Sequence, residues 1–226
     1  MLAAIIVAGG SSRRMGFDKT FASLGGKPVI ARTIAAFEAT AAVDEIILVG
    51  REERLEELRV LVTGEGFVKV RAIVAGGIHR QDSVANGLAQ LDAKCEFVAV
   101  HDAARPLVRP EQITAVFEAA RRLGAAALAA PVTDTLKCAT KDRVVCGSLE
   151  REGVYAMQTP QIFERALLLE AFAAVATKQL PITDEVSAVE LLERKVVLVP
   201  NDRPNMKITF PADLTLAEIL WKAFVE

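Results

Sequence analysis

Six short apolar runs, at residues 2–8, 45–49, 69–74, 97–100, 125–130 and 196–199, recur along the chain with helical patterns between them. A run that is apolar at every position needs cover on both faces, and strands spaced by helices are joined by right-handed crossovers. The pattern therefore predicts a mostly parallel sheet with helices on both sides, an α/β fold. Helical periods fall at 28–39, 83–91, 110–123, 163–177, 184–193 and 211–224, several of them opening on Pro, Asp or Ser where first-turn and capping residues belong. Residues 135–156 break the alternation. They carry no helical period and place a charged turn, Lys141-Asp142-Arg143, between β-formers, which predicts a protruding β-hairpin arm. Neither a repeat nor a linker-like stretch divides the 226 residues, so one domain over 1–226 is expected.

Composition narrows the partners. A formal net charge of −2 leaves no broad basic surface for phosphate neutralisation, so nucleic acid is not an expected partner. No apolar run approaches the roughly 20 residues of a spanning helix, and no membrane contact is expected. Cys95, Cys138 and Cys146 show neither CxxC nor Cys/His ligand spacing, and so sparse and odd a set fits a reducing cytosol; a cytoplasmic location is expected. Cys138 and Cys146 could face each other across the arm, but no disulfide is expected there.

In a parallel sheet, ligands gather at the carboxyl ends of the strands. The residues just past each apolar run are polar here. The first such loop, Ala8-Gly9-Gly10-Ser11-Ser12-Arg13-Arg14-Met15-Gly16, puts two residues without side chains where backbone N–H groups can approach an anion, and Arg13, Arg14 and Lys19 add cations. It is neither a P-loop, since Gly-Lys-Ser/Thr is missing, nor a dinucleotide fingerprint, since the third glycine is missing. Phosphate binding and a solvated basic turn are its two readings. Asp102 follows the run at 97–100, where a carboxylate can hold Mg²⁺ against nucleotide phosphates or merely cap a helix. Gly76-Gly77 followed by Arg80-Gln81-Asp82-Ser83 offers a close backbone turn suited to a flat base, or simply a capped helix. His79 and His101 have no partner at a recognisable spacing and are expected to pack or hydrogen-bond.

Taken together, VAGGSSRRM with DK, GGIHRQDSV, HDAARPLV, APVTDTLK, LEREGVYAMQTPQIF, ITDEVSAVE, and NMKIT with PADLTLAE resemble the 2-C-methyl-D-erythritol 4-phosphate cytidylyltransferase family over nearly the whole chain. The order and spacing of HDAARP, TPQ and TDE are the specific part. The resemblance implies a nucleotide-diphosphate-sugar transferase type of fold, a homodimer built through the arm, and Mg²⁺ or another divalent cation. It implies transfer of CMP from CTP to 2-C-methyl-D-erythritol 4-phosphate, giving 4-diphosphocytidyl-2-C-methyl-D-erythritol and pyrophosphate for isoprenoid precursor synthesis. By the same resemblance Arg14 and Lys19 match the cations that stabilise the transition state, and Arg151 and Lys207 the pair that positions the sugar phosphate. Asp102 matches the metal and substrate-hydroxyl carboxylate. Ala8, Gly9, Gly10, Gly77 and Ser83 match CTP-binding positions, and Arg105, Thr135, Thr159 and Thr183 the lining of the second substrate's pocket. Two departures stand out. The stretch Met15-Gly16-Phe17-Asp18 before Lys19 is short and closer in shape to a molybdopterin guanylyltransferase loop, and Pro204-Asn205 occupy a place that is often acidic.

The chemistry fits that inventory. A phosphate monoester is largely dianionic at neutral pH, its second pKa being about 6, so it can attack the α-phosphorus of CTP without a general base. What the reaction needs is neutralised charge and alignment. The alternatives are a ribitol 5-phosphate cytidylyltransferase, a guanylyltransferase suggested by the first loop alone, and a non-catalytic nucleotide-binding module. The last would have no use for a second cation pair. A Rossmann dehydrogenase lacks both its third glycine and its ribose-binding acid.

Overall fold

The computed structural model of the chain describes residues 1–10, 15–178 and 182–225. In order, it forms β1 (Leu2–Val7), β2 (Ser23–Leu24), β3 (Lys27–Pro28), α1 (Val29–Ala39), β4 (Val43–Gly50), α2 (Leu55–Glu65), β5 (Val70–Ala75), α3 (Arg80–Leu88), β6 (Phe97–Asp102) and α4 (Pro110–Leu123). There follow β7 (Ala125–Pro131), β8 (Leu136–Ala139), β9 (Val145–Leu149), β10 (Tyr155–Glu164), α5 (Arg165–Lys178), α6 (Glu185–Glu190), β11 (Val197–Pro200) and α7 (Pro211–Val225).

β1 is apolar throughout because its two faces feed two cores. Leu2, Ala4 and Ile6 pack with Ile30, Ile34 and Phe37 of α1 and Ile113 and Val116 of α4, while Ala3 and Ile5 pack with Val84 and Leu88 of α3 and Leu167 and Leu168 of α5. Each large side chain fully withdrawn from water contributes about 1.5–3 kcal/mol, so the double burial is what holds the central strand in place. The main sheet has the order β11-β7-β10-β6-β1-β4-β5. All its pairings are parallel except those of β10, which runs antiparallel to both β6 and β7. The carboxyl ends of β1, β4 and β6 consequently lie side by side, with Ala8 N–H bonded to the Val49 carbonyl at 2.7 Å and Ala103 N–H to the Val7 carbonyl at 3.0 Å.

Several expectations are corrected. The arm is shorter than 135–156: β8 and β9 pair from Leu136↔Leu149 to Ala139↔Val145, while Tyr155 and Ala156 already pair with Pro131 and Ala130 in the main sheet. The segment 155–164 is thus an interior strand, and Phe163 belongs to it rather than to the following helix, which starts at Arg165. The helix expected at 184–193 is reduced to Glu185–Glu190, with Asp184 as its cap through a 3.0 Å bond from Ser187 N–H. The helix expected at 83–91 begins a turn earlier, at Arg80. α2 and the β2–β3 pair are additional elements. The three cysteines are free thiols, and Cys138 lies opposite Gly147.

Candidate active site

Close packing of backbone shapes the first half of the site. The Gly76-Gly77 turn lies against the first turn of α3 so tightly that a Cβ at Gly76 would fall 2.7 Å from Ser83 Oγ, and one at Gly77 2.2 Å from Asp82 Cβ. The Ser83 hydroxyl accepts from Gly77 N–H at 3.1 Å and bonds the His79 carbonyl at 3.2 Å, so it fixes the turn's shape. Asp82 closes the same turn by accepting from His79 N–H at 2.9 Å. This turn faces Ala8, Gly9 and Gly10 across a cavity of about 310 Å³ that is also lined by Lys19, Ser83, Asp102 and Lys207. All six residues expected to meet the nucleotide, Ala8, Gly9, Gly10, Gly77, Ser83 and Asp102, therefore line one space. Arg14 lies outside the described residues.

A second cavity, of about 390 Å³, opens on the other side of Asp102 and takes in Arg105, Thr159, Thr183 and Asp184. Its walls explain why TPQ and TDE belong to one site. Gln161, almost fully buried, donates to Asp184 Oδ2 at 2.9 Å and accepts from Val186 N–H at 3.2 Å, so the strand β10 clamps the start of α6. Asn205, in the place where an acid is common, is buried and donates to the Thr159 carbonyl at 2.8 Å, while its own backbone carbonyl accepts from Arg105 at 2.8 Å. That seats the segment carrying Lys207. The two cavities share three residues, Arg80, Asp102 and Lys207.

Charge is densest at that partition. Lys207 Nζ stands 2.9 Å and Arg105 Nε 3.4 Å from Asp102 Oδ2, and Arg80 Nε stands 3.4 Å from Oδ1. Burial alone would raise the Asp102 carboxyl, but Lys207, Arg80 and Arg105 outweigh it and hold the group well below the usual carboxylate range. Arg80 also pairs with Glu185, whose side chain is fully buried and whose carboxyl burial pushes up against the pull of Arg80. Lys19 Nζ donates to the Ile208 carbonyl at 2.8 Å, and Met15, Leu24, Val29, Ile208 and Ala217 form a small core of their own. The flank of the first loop and the segment carrying Lys207 are thereby held on one body.

Behind the partition, donor and acceptor chemistry fixes a tautomer. His101 Nε2 lies 3.2 Å from the Arg105 carbonyl, which can only accept, so Nε2 carries the proton and Nδ1 accepts from the Thr159 hydroxyl at 3.0 Å. Thr159 Oγ1 accepts in turn from Asp102 N–H at 3.1 Å. The histidine is a hydrogen-bonding residue, as its lack of a catalytic partner implied, and it supports the strand end that bears Asp102.

Sequence reasoning did not single out Arg80 or Glu185. The available signal was Glu185 itself, an acid set among positions of α6 that are otherwise largely apolar and buried, which demands a cation from elsewhere. Conversely, Arg151 and Thr135 are not among the residues lining either cavity. Arg151 is exposed at the foot of the arm and donates to the Thr133 carbonyl. Among the described residues, Asp102 is the one carboxylate that lines the first cavity, and no group of three or more His, Cys, Asp or Glu side chains could hold a metal unaided. This donor set fits Mg²⁺ ligated mainly by phosphate oxygens and water, with one protein carboxylate.

An open α/β sheet with a cation-rich cleft at its carboxyl edge, divided by one carboxylate into two adjoining cavities, gives two phosphate-bearing ligands a common meeting point, as a nucleotidyltransferase requires. The chain belongs to the 2-C-methyl-D-erythritol 4-phosphate cytidylyltransferase (IspD) family, whose sequence model matches residues 2–223. It is 43% identical over 225 residues to the 2-C-methyl-D-erythritol 4-phosphate cytidylyltransferase of Pelotomaculum thermopropionicum, covering 98% of this chain and 94% of that protein. It is also 43% identical over 220 residues to the enzyme of the same name from Dehalococcoides mccartyi strain CBDB1, covering 97% and 95%. The crystal structure of 4-diphosphocytidyl-2C-methyl-D-erythritol synthase from Anaerococcus prevotii superposes with a TM-score of 0.87 at 30% identity, covering 98% of this chain and 96% of that one. That of the 2-C-methyl-D-erythritol 4-phosphate cytidylyltransferase from Thermus thermophilus gives 0.81 at 32%, covering 96% and 98%.

The buried imidazole yields a pH dependence. Burial lowers the His101 pKa from 6.5 to about 3, so the unfolded chain takes up a proton that the folded one refuses. The stability from the neutral ring is present above the unfolded pKa and is lost as pH falls from there toward the folded value. Glu185, shifted up, contributes with the opposite sign, so the wild type is compared with His101→Gln, in which only the imidazole contribution disappears. Urea unfolding at successive pH values should show wild type losing up to about 1.4 kcal/mol per pH unit more than His101→Gln between about pH 6 and about pH 5. Parallel curves would mean that the folded ring titrates normally.

Proposed function

We propose that this chain transfers CMP from CTP to 2-C-methyl-D-erythritol 4-phosphate, releasing pyrophosphate. The observation that carries this reading is the pair of cavities meeting at Arg80, Asp102 and Lys207. The first is lined by the cationic side chains of Lys19, Arg80 and Lys207 against the carboxylate of Asp102, a balance suited to a triphosphate. The second mixes Arg80, Arg105 and Lys207 with Asp102, Asp184 and Glu190 and two threonines, a balance suited to a phosphate that also carries hydroxyls. A nucleophile in one and an α-phosphorus in the other would meet at the partition.

In that reading the monoester dianion forms a new P–O bond to the α-phosphorus as the bond to the β-phosphate breaks, and pyrophosphate leaves with the electron pair. No proton need move, which agrees with His101 being buried, neutral and fully bonded. Lys19, with Arg14, would draw charge from the triphosphate as the bond breaks, Lys207 would hold the incoming phosphate, and the glycine turns with Ser83 would seat the nucleotide. Arg105, Thr159 and Thr183 would line the polyol pocket, with Asp102 receiving a substrate hydroxyl. Asp102 would also be the protein ligand of Mg²⁺, which when bound supplies positive charge to the nucleotide phosphates.

Measuring pyrophosphate release from each of the four nucleoside triphosphates with a panel of polyol phosphates tests the assignment. CTP with 2-C-methyl-D-erythritol 4-phosphate should give the highest kcat/KM. Faster turnover of ribitol 5-phosphate, or of GTP, would overturn it.

The arm supports a two-fold homodimer with shared sites. β8 and β9 form a two-stranded sheet of their own with Val144, Val145 and Leu149 exposed, and so small an isolated hairpin is marginal in water. Arg151, outside both cavities of its own chain, would then enter the neighbour's site beside Thr135 of the same arm. Mixing inactive Lys19→Ala and Arg151→Ala proteins under subunit exchange should restore roughly a quarter of wild-type activity, because about half the dimers are mixed and each of these regains one intact site. No recovery despite verified exchange would refute the shared site and leave the reaction assignment standing.

A further inference from the structure

We infer that Arg80 is a positioning residue for the reaction, clamped by the buried carboxylate of Glu185 so that it fixes the orientation of Asp102 at the partition between the two cavities. The inference rests on Asp102 meeting the substrates, as proposed above, but the clamp itself stands on geometry. Arg80 opens α3 and Glu185 opens α6, elements more than a hundred positions apart in the chain that meet past the end of β6. Arg80 Nη1 donates to Glu185 Oε1, while Nε of the same guanidinium points to Asp102 Oδ1 at 3.4 Å. Since the guanidinium is planar and rigid, holding one edge on Glu185 fixes the direction of the other.

Stability alone gives no reason for this arrangement. The Glu185 side chain has no solvent exposure, and its Oε2 is buried without a hydrogen-bond partner among the described residues. Replacing a buried ion pair by apolar residues of similar volume is often neutral or stabilising, so what matters about this pair is what it holds in place. What it holds is a cation lining both cavities. Lys207 and Arg105 both approach Oδ2 of Asp102, whereas Arg80 approaches Oδ1. The three together fix the plane of the carboxylate. With its charge shared with Glu185, Arg80 orients Asp102 without collapsing onto it, which leaves the carboxylate available to a ligand.

Glu185→Gln keeps the size and the acceptor oxygen while removing the charge. The clamp is read directly, without substrates, from the exchange of the Arg80 Nε–H proton by NMR. It should exchange at least about tenfold faster in Glu185→Gln than in wild type, with the backbone spectrum otherwise preserved. In turnover, Glu185→Gln should lower kcat by roughly tenfold to a hundredfold, the typical loss for a misplaced group, with KM for either substrate changing less than about threefold. Glu185→Gln added to Arg80→Gln should cost nothing further, because Glu185 acts through Arg80. If Glu185→Gln does not fold, Arg80→Lys, which keeps the charge and loses the fork, should show the same kcat loss. Unchanged exchange overturns the clamp. Changed exchange with normal kcat, or additive losses in the double variant, overturns the positioning role. Wild-type protein that turns over no polyol phosphate would instead sink the proposed reaction, with the exchange measurement still deciding the clamp.

Discussion

The carboxylate of Asp102 is the point on which the site depends. It stands at the end of β6, a central strand whose neighbours are fixed by two cores, and it gathers cations from three segments: Arg80 from α3, Arg105 from the loop directly after β6, and Lys207 from the segment after β11. A carboxylate so enclosed is tolerable only when paired, and cations this close together are tolerable only around an anion. Each therefore requires the other, and the result is a cleft whose positive groups are already aimed before any phosphate arrives. Such preorganisation is the largest single contribution a protein makes to reactions in which charge converges on phosphorus.

The apolar runs made the parallel sheet legible, because strands buried on both faces need no alternation and leave none. The loops at their carboxyl ends likewise pointed to Ala8, Gly9, Gly10, Gly77, Ser83 and Asp102, the family resemblance added Arg105, Thr159, Thr183 and Lys207, and the structure brings all of these around two adjoining spaces. β10 was hidden for a physical reason. Proline within a run argues against an interior strand, yet here the pairing with β7 shifts between Met157 and Gln161, so Pro160 falls in the irregular stretch where no ladder bond is required of it. α2 carries only a thin apolar stripe, with Leu55 and Leu58 buried and Val60 exposed, and its period is correspondingly faint.

Arg80 and Glu185 show a different limit. Each reads locally as a helix-opening polar residue, and only the three-dimensional meeting of α3 with α6 makes them a pair. Spacing along a chain cannot reveal an interaction between residues so far apart, although the cost of burying a lone acid does announce that a partner exists. Arg151 shows the converse. Its type and its motif suit phosphate, but its place at the foot of an exposed arm sets it apart from the cavities of its own chain, and a second copy of the chain is what would bring it into play.

Calorimetric titration of CTP into Asp102→Asn, with and without Mg²⁺, decides whether Asp102 both gathers the cations and would present a carboxylate to metal-bound nucleotide. With the carboxylate charge gone and the cations still present, affinity for CTP without metal should equal or exceed that of wild type, while the gain in affinity on adding Mg²⁺ should largely vanish. A variant that binds CTP more weakly without metal yet keeps the full wild-type gain with it would rule out both roles for Asp102.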